Sequence, residues 1–216
     1  MIELILPSAV VAVEAFADPP GAVLLPEEEP FVAKAVEKRR REYTTVRHCA
    51  REALARLGRG PAPILPGEKG APRWPEGVVG SMTHCAGYRA AVLAEASEIT
   101  TVGIDAEPHV ALPDGVLDAV SLPEERVHLA DLARQHPDVH WDKLLFAAKE
   151  SVYKAWFPLA HKWLGFSEAH IRLDPDGTYT ADLLVPGPTV NGTELTGFTG
   201  RWTTGNDLVI AAIAVS

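Results

Sequence analysis

Apolar residues recur three and four positions apart from Pro30 to Leu57, where Val32, Val36, Tyr43, Val46, Ala50, Ala53 and Leu57 form one stripe; this spacing predicts a single long helix. Glu27, Glu28 and Glu29 stand at its start, where the helix dipole favours negative charge, and Gly58 marks its stop. Before the helix lies an apolar run, Leu4 to Val13, and the element order opens on a strand. After it, Gly58 to Gly77 holds five Gly and five Pro in twenty residues, which excludes a helix or a central strand and predicts a long ordered loop or crossover. Short β-rich runs follow at Val78 to Thr83, Tyr88 to Ala94 and Ile99 to Asp105, so closely spaced that antiparallel pairing is expected. Helical periodicity returns over Pro123 to Gln135 and Trp141 to Trp156, the second ending near Pro158. The tail reads as strands at Ala169 to Leu173, Tyr179 to Leu184, Leu195 to Trp202 and Leu208 to Val215, with Gly205-Asn206-Asp207 as the last turn. This order predicts an α+β fold of two similar lobes, each a small antiparallel sheet packed on a long helix, divided into residues 1–104 and 105–216. The halves share element order but no repeat at the residue level.

Composition changes this picture little. In 216 residues, 47% hydrophobic and 23% charged, the chain is neither disordered, collagenous nor coiled coil. Its length suits one domain or two half-size lobes. Glu3 and Glu14 flank the first apolar run and no Lys or Arg precedes Lys34, which is unlike a secretory signal. Charge-free stretches stay near a dozen residues, too short for a membrane span, so a cytoplasmic protein is expected. Cys49 and Cys85 are expected as buried thiols in a reducing compartment. Each follows a histidine, His48 and His84, but structural zinc sites usually pair ligands two to four residues apart.

The net charge of −9 argues against nucleic acid as a partner. It is unevenly distributed. Residues 31–59 hold nine Lys/Arg against three Asp/Glu, a local +6, leaving −15 elsewhere, and residues 105–142 contribute −7 of that.

Three features could carry chemistry. In Val102-Gly103-Ile104-Asp105-Ala106-Glu107-Pro108, strand alternation points Asp105 and Glu107 to one side, where they repel unless a cation neutralises them; hard oxygens of this kind suit Mg²⁺ or Mn²⁺. A solvated turn is the alternative. In the helix Phe146 to Trp156, the core stripe Trp141, Leu144, Leu145, Ala148, Val152 and Trp156 leaves Glu150 on another face, with Lys154 one turn on. The two would form either a plain helix ion pair or the acid and cation of a phosphoryl transfer. In Lys38-Arg39-Arg40-Arg41, followed by Arg47 and Arg51, Arg39 interrupts the apolar stripe, while Arg40, Arg47 and Arg51 share a face suited to phosphate oxygens. A solvated basic face is again the alternative. The chain has no Gly-rich phosphate loop, Rossmann fingerprint, Gly-x-Ser-x-Gly elbow or His-Glu-x-x-His, so acids and phosphate binders lack an evident nucleophile.

GIDAEP, followed some forty residues later by AAKESVYKAW, resembles the signature of the 4′-phosphopantetheinyl transferases of the pseudo-dimeric, surfactin- and enterobactin-associated type. KRRREYTTVRHCAREAL, PAPILPGEKG, GSMTHCAGYRAAV and KESVYKAWFPL fall in the family's order, most similar to its actinobacterial members. The resemblance implies a two-lobed fold with the active site between the lobes. It implies Mg-dependent transfer of phosphopantetheine from coenzyme A to a serine of an acyl or peptidyl carrier protein of fatty-acid, polyketide or non-ribosomal peptide assembly, with 3′,5′-ADP released. Asp105, Glu107 and Glu150 would then hold Mg²⁺, with Glu150 also the base for the serine. Lys154 would meet the departing 3′,5′-ADP. Arg39, Arg47, His84 and Lys149 would contact coenzyme A phosphates, His84 the 3′-phosphate. Pro66 stands where relatives carry a Lys before the GEKG turn, a contact Lys69 would replace. Two lobes in one chain would remove the need for an oligomer, so a monomer is expected. A Mg²⁺-dependent phosphohydrolase and a non-enzymatic module docking an acidic protein are the other readings of the same residues; His84, Ser81 and Thr83 would then serve only local hydrogen bonding.

Overall fold

The structure is a computed structural model that describes residues 1–190 and 192–216. The N-terminal lobe contains β1 (Val11–Ala15), α1 (Glu37–Arg56), the small hairpin of β2 (Leu65–Pro66) and β3 (Pro72–Arg73), β4 (Val78–Cys85) and β5 (Tyr88–Glu95). The C-terminal lobe contains β6 (Thr101–Pro108), α2 (Val116–Val120), α3 (Pro123–Gln135), α4 (Trp141–Ala160), β7 (Ala169–Leu173), β8 (Thr178–Leu183), β9 (Thr189–Val190), β10 (Thr193–Glu194), β11 (Gly197–Gly205) and β12 (Leu208–Val215). The sheets are antiparallel, in the orders β1-β5-β4 and β6-β12-β11-β8-β7.

The layers follow from the strands that read as unbroken apolar runs. In β5, Ala91 and Leu93 pack on Ala50, Ala53 and Leu54 of α1, whereas Tyr88, Ala90 and Val92 face Ile104 and Ile210 of the other sheet. In β12, Val209, Ala211 and Ile213 pack on α4, whereas Leu208, Ile210 and Ala212 face the N-terminal lobe. The two sheets thus lie back to back between α1 and α4, the α+β arrangement of two sheet-on-helix lobes. At Asn206 and Asp207 the backbone has φ of 49° and 57°, the left-handed pair a two-residue hairpin requires.

Two expectations are corrected. The helix from Pro30 is interrupted: a 3₁₀ turn covers Glu29–Val32, and α1 begins only at Glu37. Val36 is extended, with ψ of 154°, and 73% exposed, so it leaves the core stripe. Glu28, which precedes the 3₁₀ turn, is not a solvated acid at the start of α1 but is buried against Arg51 of that helix. Secondly, β6 does not join its sequence neighbours. Both edges of β5 are occupied by β1 and β4, and β6 instead pairs along its whole length with β12. A division at 104/105 falls inside this strand. Between β6 and β4 the ladder is replaced by side chains: Ile104 N donates to Ser81 Oγ at 3.1 Å and Ala106 N to Thr83 Oγ1 at 3.2 Å.

Candidate active site

Helix α4 lies close against β6 because position 103 is glycine. A β-carbon there would stand 2.1 Å from Ser151 O and 2.7 Å from Ala155 N. Alternate residues of β6 meet the helix in antiparallel sense. Thr101 Oγ1 donates to Ala155 O at 2.8 Å, Asp105 meets Lys154, and Glu107 lies 3.7 Å from Lys143 Nζ. Lys143, Glu150 and Lys154 are spaced seven and four residues apart, which places them on one stripe of α4.

Lys154 Nζ donates to Asp105 Oδ1 at 2.7 Å and to Ile104 O at 3.0 Å, so it pairs across the helix–strand contact and not with Glu150 along the helix. Thr83 Oγ1 donates to the same carboxylate oxygen at 3.0 Å. Asp105 Oδ2 is buried without a hydrogen-bond partner. Burial raises the Glu150 carboxyl above the usual range and the Asp105 charge adds to this, while Lys154 opposes it. Burial and Asp105 raise Glu107 likewise, against Lys143 and Lys154.

Glu150 and Lys154 meet the N-terminal lobe at a cleft of about 640 Å³, within the range of small-molecule sites, whereas Asp105, Glu107 and Lys143 are not among its lining residues. Arg39, Tyr43 and Arg47 of α1 line it, with the hairpin from Pro66 to Trp74, Ser81 and His84 of β4, and Glu150, Tyr153 and Lys154 of α4. Arg39 Nη1 stands 2.5 Å from His84 Nε2, and since a guanidinium only donates, Nε2 is the acceptor. Burial and then the Arg39 charge lower the His84 pKa, with Glu42 opposing. Arg47 is buried, stacked with its guanidinium carbon 3.1 Å from the centre of the Tyr43 ring, and donates from Nε to Ile64 O at 2.9 Å. Burial lowers its pKa to about 10, so it remains cationic near neutrality. Lys69 holds a left-handed backbone, φ 52°, at the hairpin turn.

The structure brings Arg39, Arg47, Lys69, His84, Glu150 and Lys154 to one cleft, with Asp105 behind Lys154. It does not bring Lys149. That ammonium is buried in the C-terminal lobe, 2.8 Å from Glu125, and donates to Phe166 O and Ala169 O at 2.6 Å each, because its position on α4 faces α3 and the 166–169 turn. The expected phosphate face of Arg40, Arg47 and Arg51 is also not formed: Arg51 is paired with Glu28, and of the three only Arg47 lines the cleft. Burial pushes the thiols of Cys49 and Cys85 up to about 11 and about 12, the state of inert structural cysteines. Sequence reasoning missed Lys143, Tyr43 and Tyr153. The signal for Lys143 was its spacing of seven from Glu150; for Tyr153, three from Glu150. The buried hydroxyls of Tyr43 and Tyr153 have no hydrogen-bond partner.

The acids fit a hard divalent cation. Asp105, Glu107 and Glu150 are near enough for one charge to raise the other two, and Asp105 keeps an unpartnered oxygen. Among the described residues no three His, Cys, Asp or Glu side chains are grouped closely enough to hold a metal ion by themselves. Mg²⁺ typically takes only one or two carboxylates, the rest of its shell coming from water and substrate phosphates.

Comparison with known proteins agrees with this geometry. A sequence model of the 4′-phosphopantetheinyl transferase N-terminal domain matches residues 27–94, and one of the 4′-phosphopantetheinyl transferase superfamily matches residues 101–212. The chain is 59% identical over 220 residues to the 4′-phosphopantetheinyl transferase Svp of Streptomyces mobaraensis, covering 100% of this chain and 89% of that protein. It is 54% identical over 208 residues to the 4′-phosphopantetheinyl transferase PptT of Mycobacterium tuberculosis, covering 94% and 90%. Similarity to enterobactin synthase component D of Salmonella typhi is lower, 35% over 128 residues, covering 56% of this chain and 50% of that one. No helix among the described residues is long and apolar enough to cross a membrane.

Proposed function

From the premise that the chain belongs to the 4′-phosphopantetheinyl transferase superfamily, we propose that it transfers the 4′-phosphopantetheine of coenzyme A to a serine of apo acyl or peptidyl carrier proteins. The observation that carries this reading is the meeting of N-terminal cations with Glu150 and Lys154 in one cleft. Phosphoryl transfer is largely positioning and charge neutralisation, and these are the groups it needs. The nucleophile comes from the carrier. Ser81, the one serine lining the cleft among the described residues, is bound by Ile104 N and makes no hydrogen bond to a side-chain base that could activate it, and both thiols are inert.

Arg39, Arg47 and Lys69 hold the phosphates of coenzyme A, and His84 with Arg39 takes the 3′-phosphate. Asp105, Glu107 and Glu150 would hold Mg²⁺ or Mn²⁺, which supplies charge neutralisation on the pyrophosphate. Glu150, with its raised carboxyl pKa, accepts the serine proton. The serine oxygen forms its bond to the phosphorus bearing pantetheine, and the bond from that phosphorus to the 3′,5′-ADP oxygen breaks. Lys154 stabilises or protonates the departing diphosphate-derived oxygen, kept in place by Ile104 O and Asp105.

Release of 3′,5′-ADP from coenzyme A with Mg²⁺ tests the reading. Release that requires apo carrier supports it. Release without carrier makes the protein a phosphohydrolase, and a stable complex without release makes it a docking module.

A further inference from the structure

Glu28 is fully buried and lies outside the acids assigned to the transfer. Its carboxylate receives four hydrogen bonds: Arg51 Nη1 at 2.9 Å from each oxygen, Leu25 N at 2.9 Å and Ile64 N at 2.8 Å. Arg51 Nη2 in turn donates to Val23 O. Burial of a carboxylate is costly, and a buried ion pair contributes little more to stability than apolar side chains of similar volume. What this pair adds is placement. Ile64 is held at both of its backbone groups, its N–H by Glu28 and its carbonyl by Arg47 Nε at 2.9 Å. The next residue, Leu65, opens the β2–β3 hairpin, whose turn carries Lys69 and forms one wall of the cleft.

We propose that Glu28 is a positioning residue of the coenzyme A subsite: by fixing Ile64 it sets both the guanidinium of Arg47 and the hairpin bearing Lys69. This rests on the reading of the cleft as the coenzyme A site. Glu28 touches no substrate, so its removal acts on donor binding and leaves the chemical step and carrier recognition alone.

The test is the double variant Glu28→Met/Arg51→Met, which removes both charges, refills their volume with apolar side chains and leaves Ile64 N without its acceptor. Steady-state kinetics with coenzyme A, apo carrier and Mg²⁺ are read beside thermal melting. The expected result is a KM for coenzyme A raised about tenfold, with kcat and the KM for carrier within about twofold. Loss of the ion pair itself is often near neutral, but Ile64 N and Leu25 N lose their acceptor, so a fall of several degrees in melting temperature should accompany the KM change. A melting shift with unchanged KM, or a fall in kcat alone, overturns the proposal and leaves Glu28 a structural residue. Glu28→Gln is the milder second variant if the double variant does not fold. It should raise the same KM several-fold with kcat unchanged, and a wild-type KM overturns the proposal. If the wild-type chain itself released no 3′,5′-ADP, the reading of the cleft and the role of Glu28 would fall together; if it does and the variants keep its KM, only the role of Glu28 falls.

Discussion

Lys154 Nζ lies 2.7 Å from Asp105 Oδ1, while the other oxygen of Asp105, Oδ2, is buried with no partner. Leaving a buried acceptor unsatisfied costs about 1–3 kcal/mol, a cost that a cation reaching Oδ2 would recover. Addition of Mg²⁺ should therefore raise the melting temperature through linkage to the folded state. Asp105→Asn should abolish that rise. A D105N protein that kept the full Mg²⁺ dependence would remove Asp105 from the metal site.

Glu150→Ala should lower the transfer rate by about 10²–10⁴-fold, the usual contribution of a positioned acid–base group. Melting should change little, because Glu150 lies off the buried stripe of α4 and is only half-buried. Near-normal turnover would contradict its assigned role.

Arg47→Ala is expected to raise the KM for coenzyme A chiefly. It also deletes the bond to Ile64 O and the stacking on Tyr43, so a stability loss of about 1–3 kcal/mol should accompany it. Weakened carrier binding with an unchanged coenzyme A KM would move Arg47 from the cofactor subsite to the docking surface.

At Gly103 the obstacle to a side chain is helix backbone, which cannot swing aside as a flexible side chain would. Gly103→Ala should cost about 3 kcal/mol, the upper end for overpacking, and should reduce turnover by moving Glu150 and Lys154 away from Asp105. Urea unfolding measures the first effect. Wild-type stability would show that α4 and β6 can separate without penalty.

His84 begins below its ordinary pKa because of burial and the Arg39 charge. A bound phosphate would favour the imidazolium and raise that pKa. The added affinity should be fully present below the free-protein value, which itself lies under 6.5, and should be lost as pH rises through the higher value in the complex. Coenzyme A affinity should thus fall with rising pH, beyond the titration of the 3′-phosphate itself. His84→Gln should remove that excess slope; an unchanged slope would place His84 outside the phosphate subsite.

Local periodicity made α3, β7 and β12 legible to the residue, and motif spacing singled out Glu150 and Lys154, which the fold brings to the cleft, together with Asp105 and Glu107, which lie outside its lining and pair with Lys154 and Lys143. What escaped were features decided by distant parts of the chain. The stripe through Val36 looked continuous, but α1 begins only at Glu37, and Glu28 is drawn inward to Arg51. Proximity suggested that β6 pairs with β5, but edge availability sent it to β12. Lys149 looked equivalent to its neighbours on α4 until Glu125 of α3 claimed it. Periodicity reports which side of an element is apolar, not which partner meets its polar side.

The intact mass of an apo carrier protein, incubated with coenzyme A, Mg²⁺ and this protein, tests the central claim most directly. The account predicts the gain of one phosphopantetheine on the carrier serine, with no gain when that serine is replaced by alanine. An unchanged carrier mass while coenzyme A is consumed would contradict it.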